Sequence, residues 1–300
     1  RRFRGTGPGA VTMKGMILKN QNGYFTISGE EGSLSLCRSR GRLKRKTDIL
    51  VGDYVDFETG KGSEAVITHV YPRRNELHRP PSANIDQLVL VSAICTPDLN
   101  FFLLDKMVVL AEAAGIEPLL VINKADLDEE GAQKAAAYYQ KAGYASFALS
   151  LLHDEGYEEL LSALHGPVIA FSGPSGVGKS SLLNRILGKS HFLSGEVSRH
   201  TGRGKNTTRH AELIEWKDHT FLMDTPGYTY LDLISIEPDN LAWLFRDFRP
   251  YLTSCRFNNC MHHKEPDCAV RKAVEEGHIQ QARYDSYIHL LDELKNGFRR

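Results

Sequence analysis

The chain has 300 residues, and its 37 lysines and arginines balance 37 aspartates and glutamates, so the formal net charge is zero. Such a molecule does not attract nucleic acid over its whole surface, so any basic surface has to be local. No run of about eighteen apolar residues is present, which argues against a membrane-spanning helix, and no signal peptide is visible at the start. We expect a cytoplasmic protein of two or three domains without a membrane partner.

Residues 1–12 are rich in Gly and Arg and show no periodicity, so we expect a tag-like or disordered tail and exclude it from fold prediction. From residue 13 to residue 79, short alternating runs are separated by turns that contain glycine, which predicts a series of strands. The predicted strands are 24–27, 33–37, 54–57 and 65–68. Four or five short strands in about sixty residues are typical of a small all-β barrel of the oligonucleotide-binding (OB) type.

A cluster of basic residues lies between two of these predicted strands. Its members are Arg38, Arg40, Arg42, Lys44, Arg45 and Lys46. Phosphate backbones often bind to basic loops on such barrels, so we expect RNA to contact this cluster. The alternative is a charge run that is only solvated.

Arg79, Pro80 and Pro81 form a stiff break, which we interpret as a domain boundary. After the break, continuous apolar runs predict buried parallel strands, and segments with helical spacing separate them. The predicted strands are 88–91, 119–122 and 145–149, and the predicted helices are 103–114 and 135–142. Strands that alternate with helices indicate a three-layer α/β domain, here over residues 80–240.

The strand predicted at 119–122 is followed by Asn123, Lys124, Ala125 and Asp126. Ligands of parallel sheets bind at the carboxyl ends of the strands. The Asp126 carboxylate can accept hydrogen bonds from the N1–H and the 2-amino group of guanine, a donor pair that adenine lacks, and the Lys124 stem can lie along the base. The motif predicts a guanine site, although four residues alone are also compatible with a polar loop.

A glycine-rich segment lies between a second buried run, 167–171, and a segment with helical spacing. It consists of Gly173, Pro174, Ser175, Gly176, Val177, Gly178, Lys179, Ser180 and Ser181. The positions of its glycines, of Lys179 and of Ser180 are those of a phosphate-binding loop, in which backbone N–H groups and a helix N-terminus surround phosphates. Lys179 would reach the β- and γ-phosphates, and Ser180 would ligate Mg²⁺. An ordinary Gly-rich turn is the alternative.

Two further segments can complete this site. Asp224 follows an apolar run, and a carboxylate at a strand end can hold Mg²⁺, while the N–H of Gly227 can contact a γ-phosphate. The polar, Gly-rich residues 202–208 predict a mobile loop, in which the hydroxyl of Thr207 or of Thr208 can close over the metal. By itself, the Asp224 segment is also typical of a strand-ending turn.

Three of the five cysteines lie close together late in the chain, with a histidine between them. The four residues are Cys255, Cys260, His262 and Cys268. Three thiolates and one imidazole form a closed tetrahedral set, which is typical of structural zinc. His263 can compete as a ligand, and three reduced cysteines beside a surface histidine are the alternative. We expect a small helical zinc-binding domain over residues 241–300 that ends in a helix at 284–294.

Together, the three nucleotide motifs resemble those of the translation-factor-like GTPases. Their order is circularly permuted, because residues 123–126 precede the phosphate loop and residues 224–227 follow it. In this order the loop after Asp224 leads directly into the C-terminal domain, so a change at the γ-phosphate can pull on that domain.

With the barrel and the cysteine cluster added, the chain resembles the family of ribosome small-subunit-dependent GTPase A, RsgA (YjeQ), from residue 13 to the end. Supporting segments are 51–55, 79–81, 202–205 and 265–270. The resemblance implies a GTPase that binds GTP or GDP with Mg²⁺, carries one structural Zn²⁺, binds ribosomal RNA and acts late in small-subunit maturation. We expect a monomer whose hydrolysis is slow alone and is stimulated by the small ribosomal subunit.

The chain departs from the family pattern at three places. Asn206 stands where relatives commonly have histidine, a candidate for positioning the attacking water, and asparagine can only hydrogen-bond that water. Tyr228 follows Gly227, where many GTPases have a glutamine nearby. Residues 149–151 are a poor version of the small-residue loop that usually helps to hold the base. A GTP-gated RNA-binding switch with negligible turnover therefore stays open, whereas the motif at 123–126 argues against an ATP-using phosphate-loop enzyme.

Overall fold

A computed structural model describes residues 12–29, 32–39, 48–59, 65–78, 80–190, 211–225 and 236–297. Within the N-terminal ranges, five strands close into a barrel. They are β1 (Thr12–Gln21), β2 (Tyr24–Gly29), β3 (Leu34–Ser39), β4 (Tyr54–Thr59) and β5 (Ala65–Val70). Their order is β1, β2, β3, β5, β4, with β3 and β5 parallel and the other pairs antiparallel. The predicted OB-type barrel is confirmed.

The first barrel strand was the one that the sequence pattern did not predict. Thr12, which we placed in the tail, pairs with Glu58 of β4, so the strand begins there. Residues 15–18 are all buried, without the alternation that marks a half-exposed strand. Both faces of this stretch are covered, and the period-two pattern is therefore lost.

A short hairpin follows the barrel and contains the proline break that we interpreted as a boundary. Its strands are β6 (Glu76–His78) and β7 (Pro81–Ala83). The N–H of Ala83 donates to the carbonyl oxygen of Val51 at 2.8 Å, and the Asn84 amide donates to the carbonyl oxygen of Gly52 at 3.0 Å. These bonds tie the segment to the barrel, so it is not a free linker.

The central sheet contains six strands in the described part of the chain. They are β8 (Gln87–Ala93), β9 (Glu117–Asn123), β10 (Ala145–Leu149), β11 (Val168–Ser172), β12 (Ile214–Lys217) and β13 (Thr220–Asp224). The sheet order is β10, β9, β8, β11, β13, β12, and every neighbouring pair is parallel except β12 with β13. Strands β9, β11 and β13 therefore end at the same edge, which brings the loops with the three nucleotide motifs together.

Helices α1 (Phe101–Ala113), α2 (Glu129–Lys141), α3 (Tyr157–Ala163) and α4 (Lys179–Leu187) connect these strands. The Asn100 side chain caps α1 by accepting the N–H of Leu103 at 2.9 Å. Asp128 caps α2 in the same way, by accepting the N–H of Gly131 at 2.9 Å. This cap places the start of α2 six residues before the position that apolar spacing predicted, because a capping residue and not the apolar pattern fixes a helix start.

Residues 236–297 form a helical part that packs on α1. It contains 3₁₀ segments Pro238–Leu244 and Arg246–Ser254, followed by α5 (Ala269–Glu275) and α6 (Gln281–Gly297). Its buried apolar cluster is built on Phe245, Phe248, Tyr287 and Leu290 and extends to Val109 of α1. Across the described ranges, no helix combines the length and apolar character needed to cross a membrane.

Candidate active site and metal centre

The predicted phosphate loop leaves β11 at Ser172 and enters α4 at Lys179. Gly173 has a φ of 155°, and a Cβ at this position would overlap the carbonyl oxygen of Val91 on the neighbouring strand β8. The loop ends at the N-terminus of a nine-residue helix, where unpaired N–H groups and the helix dipole favour an anion. The local backbone is therefore built as the sequence predicted.

Asn123 joins the base-reading motif to this loop. Its side chain is buried at the end of β9, and Nδ2 donates to the carbonyl oxygen of Val177 at 2.7 Å. Gly178 has a φ of 92°, and a Cβ there would overlap the same amide. The glycine is thus needed both for its left-handed backbone and for the close approach of Asn123.

Asp126 lies at the surface in a 3₁₀ turn, Ala125–Leu127. The Ser150 hydroxyl donates to Asp126 Oδ1 at 2.9 Å, and Ser150 itself is fully buried after β10. The N–H of Ser150 donates to the carbonyl oxygen of Glu155 at 3.0 Å, which fixes its backbone. Sequence reasoning did not include Ser150 among the site residues. The available signal was a small polar residue directly after a buried parallel strand.

Lys124 has a left-handed backbone, with φ of 61°. Its ammonium contacts the carbonyl oxygen of Thr96, in the loop that follows β8. Strands β8 and β9 are neighbours in the sheet, so this contact joins two loops at the same edge. That the Lys124 stem lies along a guanine base stays a prediction.

An ion pair joins the end of the phosphate loop to strand β13. The Lys179 side chain is largely buried, and its ammonium contacts the carboxylate of Asp224. The Thr225 hydroxyl donates to the carbonyl oxygen of Phe171 at 2.9 Å, which ties the end of β13 to β11. Ser180 follows Lys179 in the first turn of α4 and is half-buried. An ammonium, a carboxylate and a hydroxyl therefore lie at the edge where phosphates and a cation were predicted.

Some predicted site residues lie outside the described part of the chain. They are Asn206, Thr207, Thr208, Gly227, Arg40, Arg42, Lys44, Arg45 and Lys46. Arg38 is described, and its guanidinium lies over the Tyr24 ring, 4.3 Å from the centroid, on the outer face of β3.

The four predicted metal ligands come together, with all their ligand atoms within 4.8 Å of one another. His262 Nδ1 lies 3.5 Å from the sulfurs of Cys255 and Cys268, and these sulfurs are 4.0 Å apart. In tetrahedral zinc sites, bonds of about 2.3 Å to sulfur and about 2.0 Å to nitrogen place a nitrogen about 3.5 Å from a sulfur and two sulfurs about 3.8 Å apart. Cys260 completes the set, and His263, the alternative ligand, does not belong to it. The residues therefore fit a four-coordinate zinc ion.

Burial shifts the pKa values of two of these ligands in opposite directions. Burial lowers the pKa of the His262 imidazole, which keeps the ring neutral and able to ligate. Burial raises the pKa of the Cys260 thiol to about 12, so that thiol keeps its proton unless a metal displaces it.

Hydrogen bonds hold the backbone of the cluster against α6. The Tyr284 hydroxyl donates to the carbonyl oxygen of His262 at 2.8 Å, and the Tyr287 hydroxyl donates to that of Met261 at 2.7 Å. Burial alone would raise the pKa of the Glu265 carboxyl, but hydrogen bonds from backbone N–H groups lower it. The cluster is therefore attached to the helix that packs on α1.

Comparison with known proteins identifies the family. Residues 70–234 match the RsgA GTPase family, and residues 14–67 match the RsgA N-terminal domain. The chain belongs to the RsgA GTPase family. Among RsgA relatives, the small ribosomal subunit biogenesis GTPase RsgA of Caldanaerobacter subterraneus subsp. tengcongensis is 42% identical over 290 residues, which cover 96% of this chain and 98% of the relative. The protein of the same name from Clostridium botulinum strain 657 is 38% identical over 288 residues, covering 95% and 98%.

Solved structures agree with the RsgA assignment. The crystal structure of YloQ, described as a circularly permuted GTPase, has a TM-score of 0.81 and 32% identity, covering 99% of this chain and 98% of that one. The crystal structure of YjeQ from Thermotoga maritima has a TM-score of 0.80 and 34% identity, covering 95% and 99%. The predicted architecture of barrel, permuted GTPase domain and C-terminal part is thereby confirmed, and the chain is a GTPase.

Proposed function

We propose that this chain is a GTPase of small-ribosomal-subunit biogenesis, whose hydrolysis of GTP is slow alone and is stimulated by the subunit. The observation that carries the proposal is the 2.7 Å hydrogen bond from Asn123 to the carbonyl oxygen of Val177, which joins the base-reading motif to the phosphate loop. A guanine site and a phosphate site at one sheet edge are what GTP requires. The process is taken from the names of the relatives.

In this proposal the phosphates of GTP lie in the loop before α4. Backbone N–H groups of residues 176–179 and the Lys179 ammonium hold the β- and γ-phosphates, so Lys179 exchanges its contact with Asp224 for phosphate oxygens. Asp126, oriented by Ser150, accepts hydrogen bonds from guanine. Hydrolysis depends on positioning and charge neutralisation and needs no covalent intermediate.

The same edge of the sheet fits Mg²⁺. Ser180 offers a hydroxyl and Asp224 a carboxylate, and Mg²⁺ prefers such hard oxygen ligands. Three further contacts are proposed. Thr207 or Thr208 would ligate Mg²⁺, Gly227 would contact the γ-phosphate, and Asn206 would hydrogen-bond the attacking water. When bound, Mg²⁺ neutralises phosphate charge.

The barrel is proposed as the part that contacts ribosomal RNA. Arg38 and the basic residues that follow it supply positive charge, and the stacking of Arg38 on Tyr24 places a cation and an aromatic ring on one face. We further propose a monomer in the cytoplasm, with domain limits at 13–79, 80–240 and 241–300.

The cluster of three cysteines and one histidine is proposed to hold one structural zinc ion, because its four ligands leave no position for water. Metal analysis of protein purified without chelator should find about one zinc per chain. Cys260→Ser should lose most of it, whereas Cys95→Ser, at a free cysteine outside the cluster, should keep it. Well under one equivalent in the wild-type protein would count against the zinc site.

The function is tested by GTP hydrolysis with and without purified small ribosomal subunits at matched salt. We expect stimulation by small and not by large subunits, and we expect Lys179→Ala to lose both tight GTP binding and turnover. Tight GTP-dependent subunit binding without stimulation would favour the GTP-gated RNA-binding switch. If the subunit neither binds nor stimulates hydrolysis, the function is reduced to guanine-nucleotide binding with an unknown partner.

Base recognition is tested separately by competition among GTP, ATP and xanthosine triphosphate. Asp126→Asn should shift the preference from guanine towards xanthine, because an amide nitrogen donates where the carboxylate accepted. Ser150→Ala should weaken GTP binding by about fivefold without changing the preference, because it removes only the hydrogen bond that orients Asp126. A wild-type protein that binds ATP as tightly as GTP would contradict the base-reading role.

A further inference from the structure

A tight turn supports the base-reading carboxylate of the proposed guanine site. It runs from Ser150 to Gly156, between β10 and α3, and we call it the base turn. The N–H of Ser150 donates to the carbonyl oxygen of Glu155 at 3.0 Å, which joins the two ends of the turn. Gly156 has a φ of 72°, and a Cβ there would overlap the carbonyl oxygen of Ala148. Because the Ser150 hydroxyl donates to Asp126, the position of the base turn sets the orientation of that carboxylate.

One side chain of α4, Arg185, contacts the base turn from outside. Arg185 Nη1 donates to the carbonyl oxygen of Leu151 at 2.9 Å. The same guanidinium forms an ion pair with the Asp154 carboxylate and lies over the Tyr157 ring, 4.7 Å from its centroid. One guanidinium therefore contacts the start of the turn, its middle and the first residue after it.

The hydrogen bond to Leu151 is the contact that fixes a direction. The ion pair is exposed on both sides, 36% for Arg185 and 62% for Asp154, and pairs of this kind contribute little. The side chains of Leu151 and Tyr157 also pack against the apolar cluster to which α4 contributes, but apolar packing is not directional. A hydrogen bond weakens steeply when donor and acceptor are misaligned, so the bond from Arg185 orients the peptide group that it contacts.

Helix α4 connects this contact to the phosphate loop. The helix begins at Lys179, in the turn that is proposed to hold the phosphates, and Arg185 lies in its last turn, about 9 Å further along the axis. One rigid element therefore reaches both ends of the proposed nucleotide site. Its first turn faces the phosphates, and its last turn holds the base turn.

We propose that Arg185 is a positioning residue for guanine recognition, which holds the base turn so that Ser150 can orient Asp126. This proposal rests on the proposed GTPase function and adds a residue outside the base-reading motif. A turn that is free to move loses more conformational entropy when guanine binds, so the loss of Arg185 lowers the affinity for GTP. Because Arg185 acts through the base turn, its loss should raise the KM for GTP and leave kcat unchanged.

Arg185→Met is the first test, because methionine keeps an unbranched apolar stem and removes the guanidinium. We expect the KM for GTP, and the dissociation constant of a non-hydrolysable GTP analogue, to rise about three- to fivefold, with the subunit-stimulated kcat within about twofold of wild type. Arg185→Lys should bind GTP within about twofold of wild type, because an ammonium can still donate to the carbonyl oxygen of Leu151. Wild-type affinity in Arg185→Met would contradict the proposal.

A double variant shows whether Arg185 acts through Ser150. Arg185→Met combined with Ser150→Ala should bind GTP as weakly as Ser150→Ala alone, within about twofold, because both changes break the same link to Asp126. If the two losses instead multiply, Arg185 acts independently of Ser150 and the proposal is wrong.

Amide hydrogen exchange of the nucleotide-free protein measures the base turn directly. Residues 150–156 should exchange at least about threefold faster in Arg185→Met than in wild type, because the turn opens more often. Unchanged exchange in these residues would show that Arg185 does not hold the turn.

Arg246→Met is a matched control. Arg246 also lies over a tyrosine ring, 4.7 Å from the centroid of Tyr144, pairs with carboxylates and donates to a backbone carbonyl oxygen. Its partner Glu117 begins β9, at the opposite end of the strand from Asn123. Arg246→Met should therefore keep the KM for GTP within about twofold of wild type.

The control separates a specific role from general destabilisation. If Arg246→Met weakens GTP binding as much as Arg185→Met does, the loss is not specific to the base turn and the proposal is wrong. If the wild-type protein binds ATP as tightly as GTP, the base-reading role fails and the proposed function fails with it. If the wild-type protein prefers GTP but Arg185→Met binds it equally well, only the role of Arg185 is overturned.

Discussion

The barrel and the C-terminal part flank the same GTPase domain, but they are joined to it by different kinds of ionic contact. At the C-terminal junction, where α6 packs on α1, the Arg283 side chain is fully buried. Its guanidinium donates to Asp105 of α1 at 2.6 Å and to Asp247 at 3.0 Å. Burial opposes the charged form, but the two aspartates raise the pKa of Arg283 well above its ordinary value. The arginine charge is therefore permanent and is paired with two carboxylates.

At the barrel junction, where residues 18 and 19 contact residues 212 and 213 and where the hairpin β6–β7 lies, the ion pairs to the GTPase domain are partly exposed. Lys19 and Glu212 are both more than a quarter exposed. Arg74 lies 2.7 Å from Asp86 of the GTPase domain, and its side chain is 57% exposed. A cavity of about 520 Å³ between β1 and the turn from β12 to β13 leaves part of this junction unpacked.

This difference separates a fixed junction from an adjustable one. Breaking a buried pair leaves a charge without water or a counter-ion, whereas an exposed pair exchanges its partner for water at little cost. The C-terminal part is therefore bound to α1 as one body. The barrel, which is the proposed RNA-binding part, is held by the contacts that are easier to change.

Arg283→Met is expected to have the largest effect on stability. It leaves Asp105 and Asp247 buried without a counter-charge, which should cost about 3–5 kcal/mol of the free energy of unfolding. Urea denaturation followed by fluorescence measures this loss. Arg249→Met is the control, since Arg249 also pairs with a carboxylate of α1, Glu112, but is 43% exposed. Its loss should not exceed about 1 kcal/mol.

A triple variant shows whether charge causes this loss. Arg283→Met combined with Asp105→Asn and Asp247→Asn removes all three charges and should regain most of the lost stability, because neutral side chains cost less to bury. Arg283→Met protein within about 1 kcal/mol of wild type would show that the C-terminal junction does not depend on this buried charge.

The features that sequence reasoning predicted well are those that neighbouring residues determine. The phosphate loop needs glycine where φ is positive and where other backbone or side-chain atoms approach, and that requirement is met within residues 173–181. The metal ligands likewise lie within one short segment, from Cys255 to Cys268. Local chemistry was enough to predict both.

The features that it missed depend on partners far along the chain. Ser150 belongs to residues 149–151, which match the usual base-holding loop poorly, yet its hydroxyl donates to Asp126, 24 residues earlier. The sequence around Arg283 does not indicate its buried ion pair, because Asp105 lies 178 residues away. Strand β1 carries a β-bulge at Leu18, where its pairing with β2 shifts register, in a run that shows no alternation because both of its faces are buried. Tertiary pairing decides such features, and local propensity does not report it.

Arg73→Met is expected to have an intermediate effect, on the barrel side of the barrel junction, where Arg73 is partly exposed and its partner is buried. Asp53 is fully buried and accepts two hydrogen bonds from Arg73, at 2.8 and 3.0 Å, and one from the N–H of Leu50 at 2.7 Å. Without Arg73 the carboxylate keeps one backbone donor, which should cost about 1.5–3 kcal/mol in urea denaturation. Adding Asp53→Asn should reduce the loss. A cost as large as that of Arg283→Met would show that a partly exposed arginine contributes as much stability as a fully buried one, so exposure would not separate the two.

Arg74→Met is expected to have the smallest effect, although Arg74 joins the barrel side directly to the GTPase domain. Asp86 keeps a second partner, because its carboxylate also accepts the N–H of Val168 at 2.8 Å. The loss should therefore stay below about 1 kcal/mol and should shrink further in about 0.5 M salt, which screens exposed pairs. Urea midpoints at low and high salt measure both effects. A loss that equals that of Arg73→Met and does not respond to salt would mean that exposure is not what distinguishes the junctions, and the barrel would then be held as firmly as the C-terminal part.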